Sequence, residues 1–272
     1  MDCKKRPQVL LAAFLYKEHL NTVKEKKQEV ILSRLEDGLF RGDRLYFFGF
    51  FDEVMQRKIR DFLDKKHANY VENGGFSEAS RKMFCLIPED WTSFMNVKED
   101  LEWPMMAMRF NRSFNFNHRH VLGTLMGLGI EHQCIGDISF DEQECQVVFD
   151  QKIFPFLKNE FVSIRGRRIA PVYFNYPDIR AFQQKKKQMN ITVNSPRIDT
   201  VIDRIWGLSR QNAETAIRQS RIRVNYLEID KKNFVVKSGD IISFKGKGKA
   251  KIVAFNGKSK KGKYQIQVEK YI

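Results

Sequence analysis

Positive charge is gathered at one end of this 272-residue chain, and it splits the molecule into parts of unlike chemistry. From Arg197 to Ile272 there are 18 Lys plus Arg against 7 Asp plus Glu, a net of +11. The whole chain carries +15, so the preceding 196 residues hold only +4. Such a concentration favours a polyanionic partner, because each phosphate that is neutralised releases condensed counterions. The competing reading is a surface charged for solubility. An anionic membrane surface is disfavoured, since no long basic amphipathic helix accompanies the charge.

The remainder must bury real cores. Hydrophobic residues make up 42% of the chain, with 23 Phe and only 7 Pro, which suits two or three folded domains. Cys3, Cys85, Cys134 and Cys145 form no CxxC pair and suit reduced thiols in a cytoplasmic protein. Lys4, Lys5 and Arg6 precede an apolar run from Val9 to Tyr16, the outline of a secretion signal. That run is short, and Lys17-Glu18-His19 stands where small cleavage-site residues belong, so a buried first helix is expected. No stretch reaches the roughly 18 apolar residues of a membrane span.

Residues 1–100 are expected to form an N-terminal α/β domain. Residues 8 to 36 read as two helices, with Val30, Ile31 and Leu35 at helical spacing and Gly38 and Gly42 as the stop. A strand over Arg44 to Phe51 follows, then a helix from Glu53 to Lys66 with Val54, Ile59, Phe62 and Leu63 on its apolar side. Asn73-Gly74-Gly75 is a turn and Met83 to Pro88 a short strand.

Residues 101–180 change rhythm. Met105 to Phe110 reads as a strand, His118 to Leu128 as a helix, and Ile135 to Phe140 and Cys145 to Phe149 as two strands. A helix from Gln151 to Glu160 and a strand over Phe161 to Ile164 complete the order β-α-β-β-α-β. That is the split βαβ arrangement of RRM-like and ferredoxin-like domains. The aromatic pattern with which RNA-recognition motifs stack bases is missing, so a scaffold role is equally compatible.

Gln183 to Gln188 reads as the approach to a final domain, 190–272, making the whole chain α+β. Ser209 is a candidate N-cap for a helix with Ala213, Ala216 and Ile217 at core spacing, and Arg210, Glu214 and Arg218 opposite. Ile222 to Asn225 and Ile241 to Phe244 read as strands. Two lysine-glycine segments, Gly246 to Lys251 and Gly257 to Lys263, flank Ile252 to Phe255, and Tyr264 to Ile272 closes the domain.

Arg197-Ile198-Asp199, Leu208-Ser209-Arg210, Ala213, Ile217, Ile222-Arg223-Val224-Asn225, Val236 and Gly239-Asp240 together resemble the alpha-L RNA-binding domain, first described in bacterial small-subunit ribosomal protein four. The resemblance covers the last 76 residues. It implies two short helices and a strand edge that grip backbone phosphates at RNA junctions. Carried over residue by residue, it puts Arg197, Ser209, Arg210, Arg218, Arg221, Arg223 and Asn225 at the RNA, and Lys245 and Lys247 join them as candidate contacts. Arginine forks and helix N-termini suit phosphate. Ser220 stands where that family usually has Gly, and Tyr226 where Gly commonly follows Asn225. The alternative for Arg197 and Asp199 is a structural ion pair.

His118-Arg119-His120-Val121-Leu122-Gly123 through Ile130, followed by Ile135-Gly136-Asp137-Ile138, resembles the central domain of the YlmH family, with His120 where that family has Asp. With both flanking domains the likeness spans nearly the whole chain. It implies a cytoplasmic, non-enzymatic protein that binds ribosomes; a monomer without cofactor is expected, with large-subunit ribosomal RNA as its partner and tRNA as a second candidate. It further implies a part in quality control of large subunits obstructed by peptidyl-tRNA, and an association with cell-division gene neighbourhoods.

Several patterns are decoys. Gly257 to Tyr264 lacks the Ser or Thr that ends a phosphate-binding P-loop, and a strand pattern follows it. His118, His120, His132 and Cys134 match no zinc spacing, so no metal is expected. Gly123, Gly127 and Gly129 are better explained by a closely packed helix than by a dinucleotide site, and Phe110, Phe114 and Phe116 by core packing than by base stacking. Two other functions remain to be weighed. A ribosomal RNA-modifying enzyme would need a catalytic Asp or a cofactor loop, and residues 1–190 show neither. A cell-division interaction scaffold would bind RNA only secondarily.

Overall fold

The computed structural model describes residues 26, 28–40, 44–93, 101–112, 116–182 and 186–271. The apolar run at residues 9–16, Cys3, Gly42 and Phe114 lie outside these residues, as do 183–185. The chain is α+β with antiparallel sheets. It divides into two compact units, 1–138 with 146–181, and 139–145 with 182–272.

The first unit opens with helix α1 (28–40), strand β1 (Tyr46–Phe51), helix α2 (Glu53–Lys65), and strands β2 (Asn69–Asn73) and β3 (Lys82–Ile87). The sheet order is β1-β3-β2, all antiparallel. Asp52 caps α2 by accepting from the Met55 amide at 3.0 Å, and Met55, Ile59 and Leu63 recur at helical spacing to reach the sheet. There they meet Leu35, Phe48, Phe51, Phe84 and Leu86. The register of β1 slips between Phe48 and Phe50, at Gly49. A Cβ on Gly49 would stand 2.9 Å from the Gln133 carbonyl oxygen, so this bulge is where the next layer comes down on the sheet.

That layer comprises β4 (Met105–Asn111), α3 (His118–Gly127), β5 (Ile135–Phe140), β6 (Glu144–Asp150), α4 (Phe154–Glu160), a small hairpin of β7 (Ser163–Ile164) and β8 (Arg167–Arg168), and β9 (Val172–Asn175). Its main sheet runs β5-β6-β4-β9. The expected last strand, Phe161 to Ile164, is not in it; Ser163–Ile164 pairs with β8, and β9 takes the edge beside β4. Phe161 and Ile164 are core plugs instead, and Phe161 meets the Phe110 ring edge-on at 5.8 Å. The two sheets share one core: Phe50, Met83 and Cys85 pack with Met105, Ala107 and Val148. Cys85, Cys134 and Cys145 are free thiols in the interior, and burial pushes the Cys85 thiol up to about 12.

The second unit comprises β10 (Lys186–Val193), α5 (Ile198–Trp206), α6 (Arg210–Arg218), β11 (Ile222–Val224), β12 (Leu227–Glu228), β13 (Ile241–Phe244), β14 (Gly248–Lys258) and β15 (Tyr264–Tyr271). They form one sheet ordered β10-β15-β14-β13-β11-β12, with both helices over the core that its inward residues line. Lys186 to Gln188, expected as a linker, are the start of β10 and pair with Tyr271 to Glu269. Their polarity suits an edge strand, while Ile191 and Val193 behind them alternate into the core. Among the described residues, no helix is long and apolar enough to cross a membrane.

Candidate nucleic-acid interface

The two helices of the second unit are short and sharply bounded. Ile198, Val201, Ile202 and Ile205 hold α5 to the sheet, and Gly207 in the left-handed region (φ +62°) ends it. Ser209 begins α6 by accepting from the Asn212 amide at 3.2 Å, as its N-cap position predicts. Ala213, Ala216 and Ile217 face inward, which leaves Arg210 and Arg218 exposed.

One end of the sheet collects cations around an aromatic floor. β13 and β14 are joined by Lys245-Gly246-Lys247, with Phe244 opposite Gly248. The Arg221 guanidinium donates to the Lys245 carbonyl at 3.1 Å and lies 5.2 Å over the Phe244 ring. The Lys247 ammonium stands 5.8 Å from the same ring. Trp206 meets Phe244 edge-on at 5.4 Å, donates Nε1–H to the Lys247 carbonyl at 3.0 Å, and carries the Lys270 ammonium 5.9 Å over its own ring. The register then sets Lys187 opposite Lys270 and Lys186 opposite Tyr271. Glu269 adjoins this end, 3.9 Å from Lys186. Cations held over rings gain about 0.5–1 kcal/mol apiece and keep their charge, so the end presents an ordered positive surface.

Of the expected contacts, the structure brings Arg221, Lys245 and Lys247 together here, with Arg210 and Arg218 on the exposed face of α6. Three others are occupied within the protein. Arg197 grips Asp199 with two hydrogen bonds, of 3.1 and 2.6 Å, which is the structural ion pair weighed above. Arg223 pairs with Glu228 at 3.2 Å across β11 and β12. Asn225 donates Nδ2 to Asp240 at 2.8 Å and accepts from the Ile241 amide at 2.9 Å, so its amide fastens a turn. Trp206, Lys186, Lys187 and Lys270 were missed. Their alignment depends on β15 pairing between β10 and β14, which local spacing does not reveal.

Asn225 and Tyr226 form the two-residue connection between β11 and β12, both with positive φ (+47° and +68°), as a type I′ turn requires. Ser220 also lies in the left-handed region, at φ +52°. These are the two positions where the alpha-L family has Gly. Ser220→Gly and Tyr226→Gly should each raise stability by about 1 kcal/mol, read as a higher midpoint of thermal unfolding.

The lysine hairpin at the other end of β14 and β15 is also ordered. Ser259 accepts from Gly262 and donates to Lys263, both 2.8 Å, and Lys258, Lys260, Lys261 and Lys263 are exposed. Tyr264 enters strand β15 directly, so no helix follows as a P-loop needs.

In the first unit the conspicuous motif residues serve structure. Asn117 and His120 form a reciprocal capping box at the start of α3, so His120 replaces the family's Asp with another acceptor at that position. Asp137 accepts from the Ser80 and Arg81 amides at 2.6 and 3.0 Å, and a Cβ on Gly136 would press on Phe50 and Val148 at 3.0 Å. Phe110 and Phe116 are buried against one another, 5.7 Å apart. Among the described residues, the close helix expected over Gly123, Gly127 and Gly129 is absent: a Cβ at any of them would meet nothing within 4 Å. Among the described residues, no cluster of His, Cys, Asp or Glu is arranged to hold a metal.

Residues 97–175 match the family model described as a putative RNA-binding domain in YlmH. Over 231 residues the chain is 26% identical to the ribosome-associated protein quality control protein P2 of Bacillus subtilis (strain 168), covering 80% of this chain and 89% of that protein. A solved structure, the cell division protein ylmH from Streptococcus pneumoniae, aligns with a TM-score of 0.44 at 17% identity, covering 56% of this chain and 88% of that one. Taken with the His118–Ile130 and Ile135–Ile138 motifs, these matches place a YlmH-type putative RNA-binding domain at residues 97–175 of this chain.

Proposed function

We propose that this protein is a non-enzymatic RNA-binding factor of the cytoplasm that docks as a monomer on large-subunit ribosomal RNA. Its second unit, in this reading, is an alpha-L domain, and the cationic end around Trp206 and Phe244 is the anchor. That end carries the proposal, because Arg221, Lys245, Lys247 and Lys270 converge on one ordered edge suited to backbone phosphates. The strand order β5-β6-β4-β9, with α3 and α4 between the strands, supports an RRM-like central domain. The Bacillus relative's name supports placing the activity in ribosome-associated quality control. Large subunits obstructed by peptidyl-tRNA are then the target, with tRNA as a second RNA partner. The test is co-sedimentation of the full chain with purified large subunits at rising salt. Binding that weakens linearly in log–log form, by about 0.7–0.9 per phosphate contact, is expected. Absence of binding at low salt would sink the proposal.

A further inference from the structure

The first unit carries little net charge, yet Arg165, Arg167 and Arg168 fall within four residues there and all are exposed. They belong to the β7–β8 hairpin, where Ser163 pairs with Arg168 and Ile164 with Arg167. Arg165 and Gly166 are the two turn residues, at φ +53° and +74°, again a type I′ turn. The first such position favours Asn, Asp or Gly, and an arginine there is strained. Among the described residues, neither Arg165 nor Arg168 has an ion-pair or hydrogen-bond partner for its side chain to offset that cost. Strain kept at an exposed cation is a mark of function.

The hairpin is also well anchored. Ile164 is buried, the Ile169 amide donates to the Val162 carbonyl at 2.9 Å, and β7 lies beside α3. Its guanidinium groups therefore project from a fixed backbone, which limits the ordering cost of binding. Each planar fork can meet two phosphate oxygens at once. The hairpin lies inside the segment that matches the YlmH putative RNA-binding domain, a description that singles out no residue.

We infer that the β7–β8 hairpin is a second RNA-contact site, in which Arg165 and Arg168 grip backbone phosphates apart from the cationic end of the C-terminal unit. This rests on the reading of the chain as an RNA binder. The test uses the full chain with protein-free large-subunit ribosomal RNA and with intact large subunits.

Arg165→Gly relieves the turn while removing the cation, so it should raise the thermal midpoint and weaken RNA binding by about fivefold. The double variant R165Q/R168Q should flatten the log–log salt slope by about 1.4–1.8, the loss of two phosphate contacts. R165K/R168K should recover the slope but only part of the affinity, because lysine lacks the fork. Unchanged affinity and slope in R165Q/R168Q would overturn the site; if reversal of Arg221 and Lys247 still abolishes binding, the anchor survives alone. Loss of binding to large subunits with full binding to bare RNA would point to a protein partner and equally overturn it. Loss with the hairpin variants but none on reversing Arg221 and Lys247 would uphold this site and remove the proposed anchor.

Discussion

Reversing two charges, Arg221→Glu with Lys247→Glu, is expected to weaken binding to large subunits by at least about 100-fold at moderate salt. Both side chains sit over one Phe244 ring, 5.2 and 5.8 Å away, so one phosphate backbone can meet both. A hydrogen bond to a charged group contributes about 1.5–3 kcal/mol, and two of them account for that factor before any repulsion is added. The salt slope should flatten by nearly 2. Arg223→Ala supplies the contrast. Its guanidinium is already balanced by Glu228, so its loss should cost less than about threefold. Equal losses in the two variants would show that bulk charge, not the arrangement around Phe244, governs binding.

The second large effect concerns stability. Arg81 is half-buried and donates to three backbone carbonyls: Ile135 at 2.8 Å, Phe50 at 2.8 Å and His132 at 2.9 Å. Burial lowers its pKa, and Asp52 and Asp137 act against that fall. Arg81→Ala removes all three donors at the seam of the two sheets and should destabilise the chain by about 3–4 kcal/mol, measured by urea unfolding. Arg81→Met, which keeps apolar bulk without donors, should recover less than half of the loss. Asp137→Asn keeps one acceptor oxygen and should cost only about 1–2 kcal/mol. A loss below about 1 kcal/mol for Arg81→Ala would mean that the shared apolar core alone holds the sheets together.

Elements with a strong period were legible in the sequence. Ile59 and Leu63 mark α2 as expected, with Met55 rather than Val54 or Phe62 completing its buried face; Ser209 caps α6, and Ile135–Phe140 and Ile241–Phe244 form strands at the expected residues. Half-exposed edge strands were not legible. Asn69–Asn73 reads Asn-Tyr-Val-Glu-Asn, and Lys186–Gln188 is wholly polar, since an edge needs only one apolar face. Phe161–Ile164 misled in the opposite direction, because a short apolar run can fill a core without joining the main sheet. The cationic end was half legible: Lys245 and Lys247 lie in an evident lysine-glycine segment, but Trp206 and Lys270 reach it only through tertiary pairing. The alpha-L resemblance marked Arg197 and Asn225 as contacts, and their side chains are spent on Asp199 and on Asp240.

The seam formed by Gly49, Arg81, Gly136 and Asp137 bears on how such chains can be recombined. Each sheet of the first unit supplies groups that complete the other, so the two halves must travel as a single cassette, and a graft of either onto a foreign partner would expose carbonyls and a phenylalanine face. The apolar core under the β10–β15 sheet draws its buried residues from Ile191 to Val268. A crossover placed just ahead of Phe182 therefore leaves that core and the core shared by the two sheets each in one piece, and it is there that a chimera should be joined.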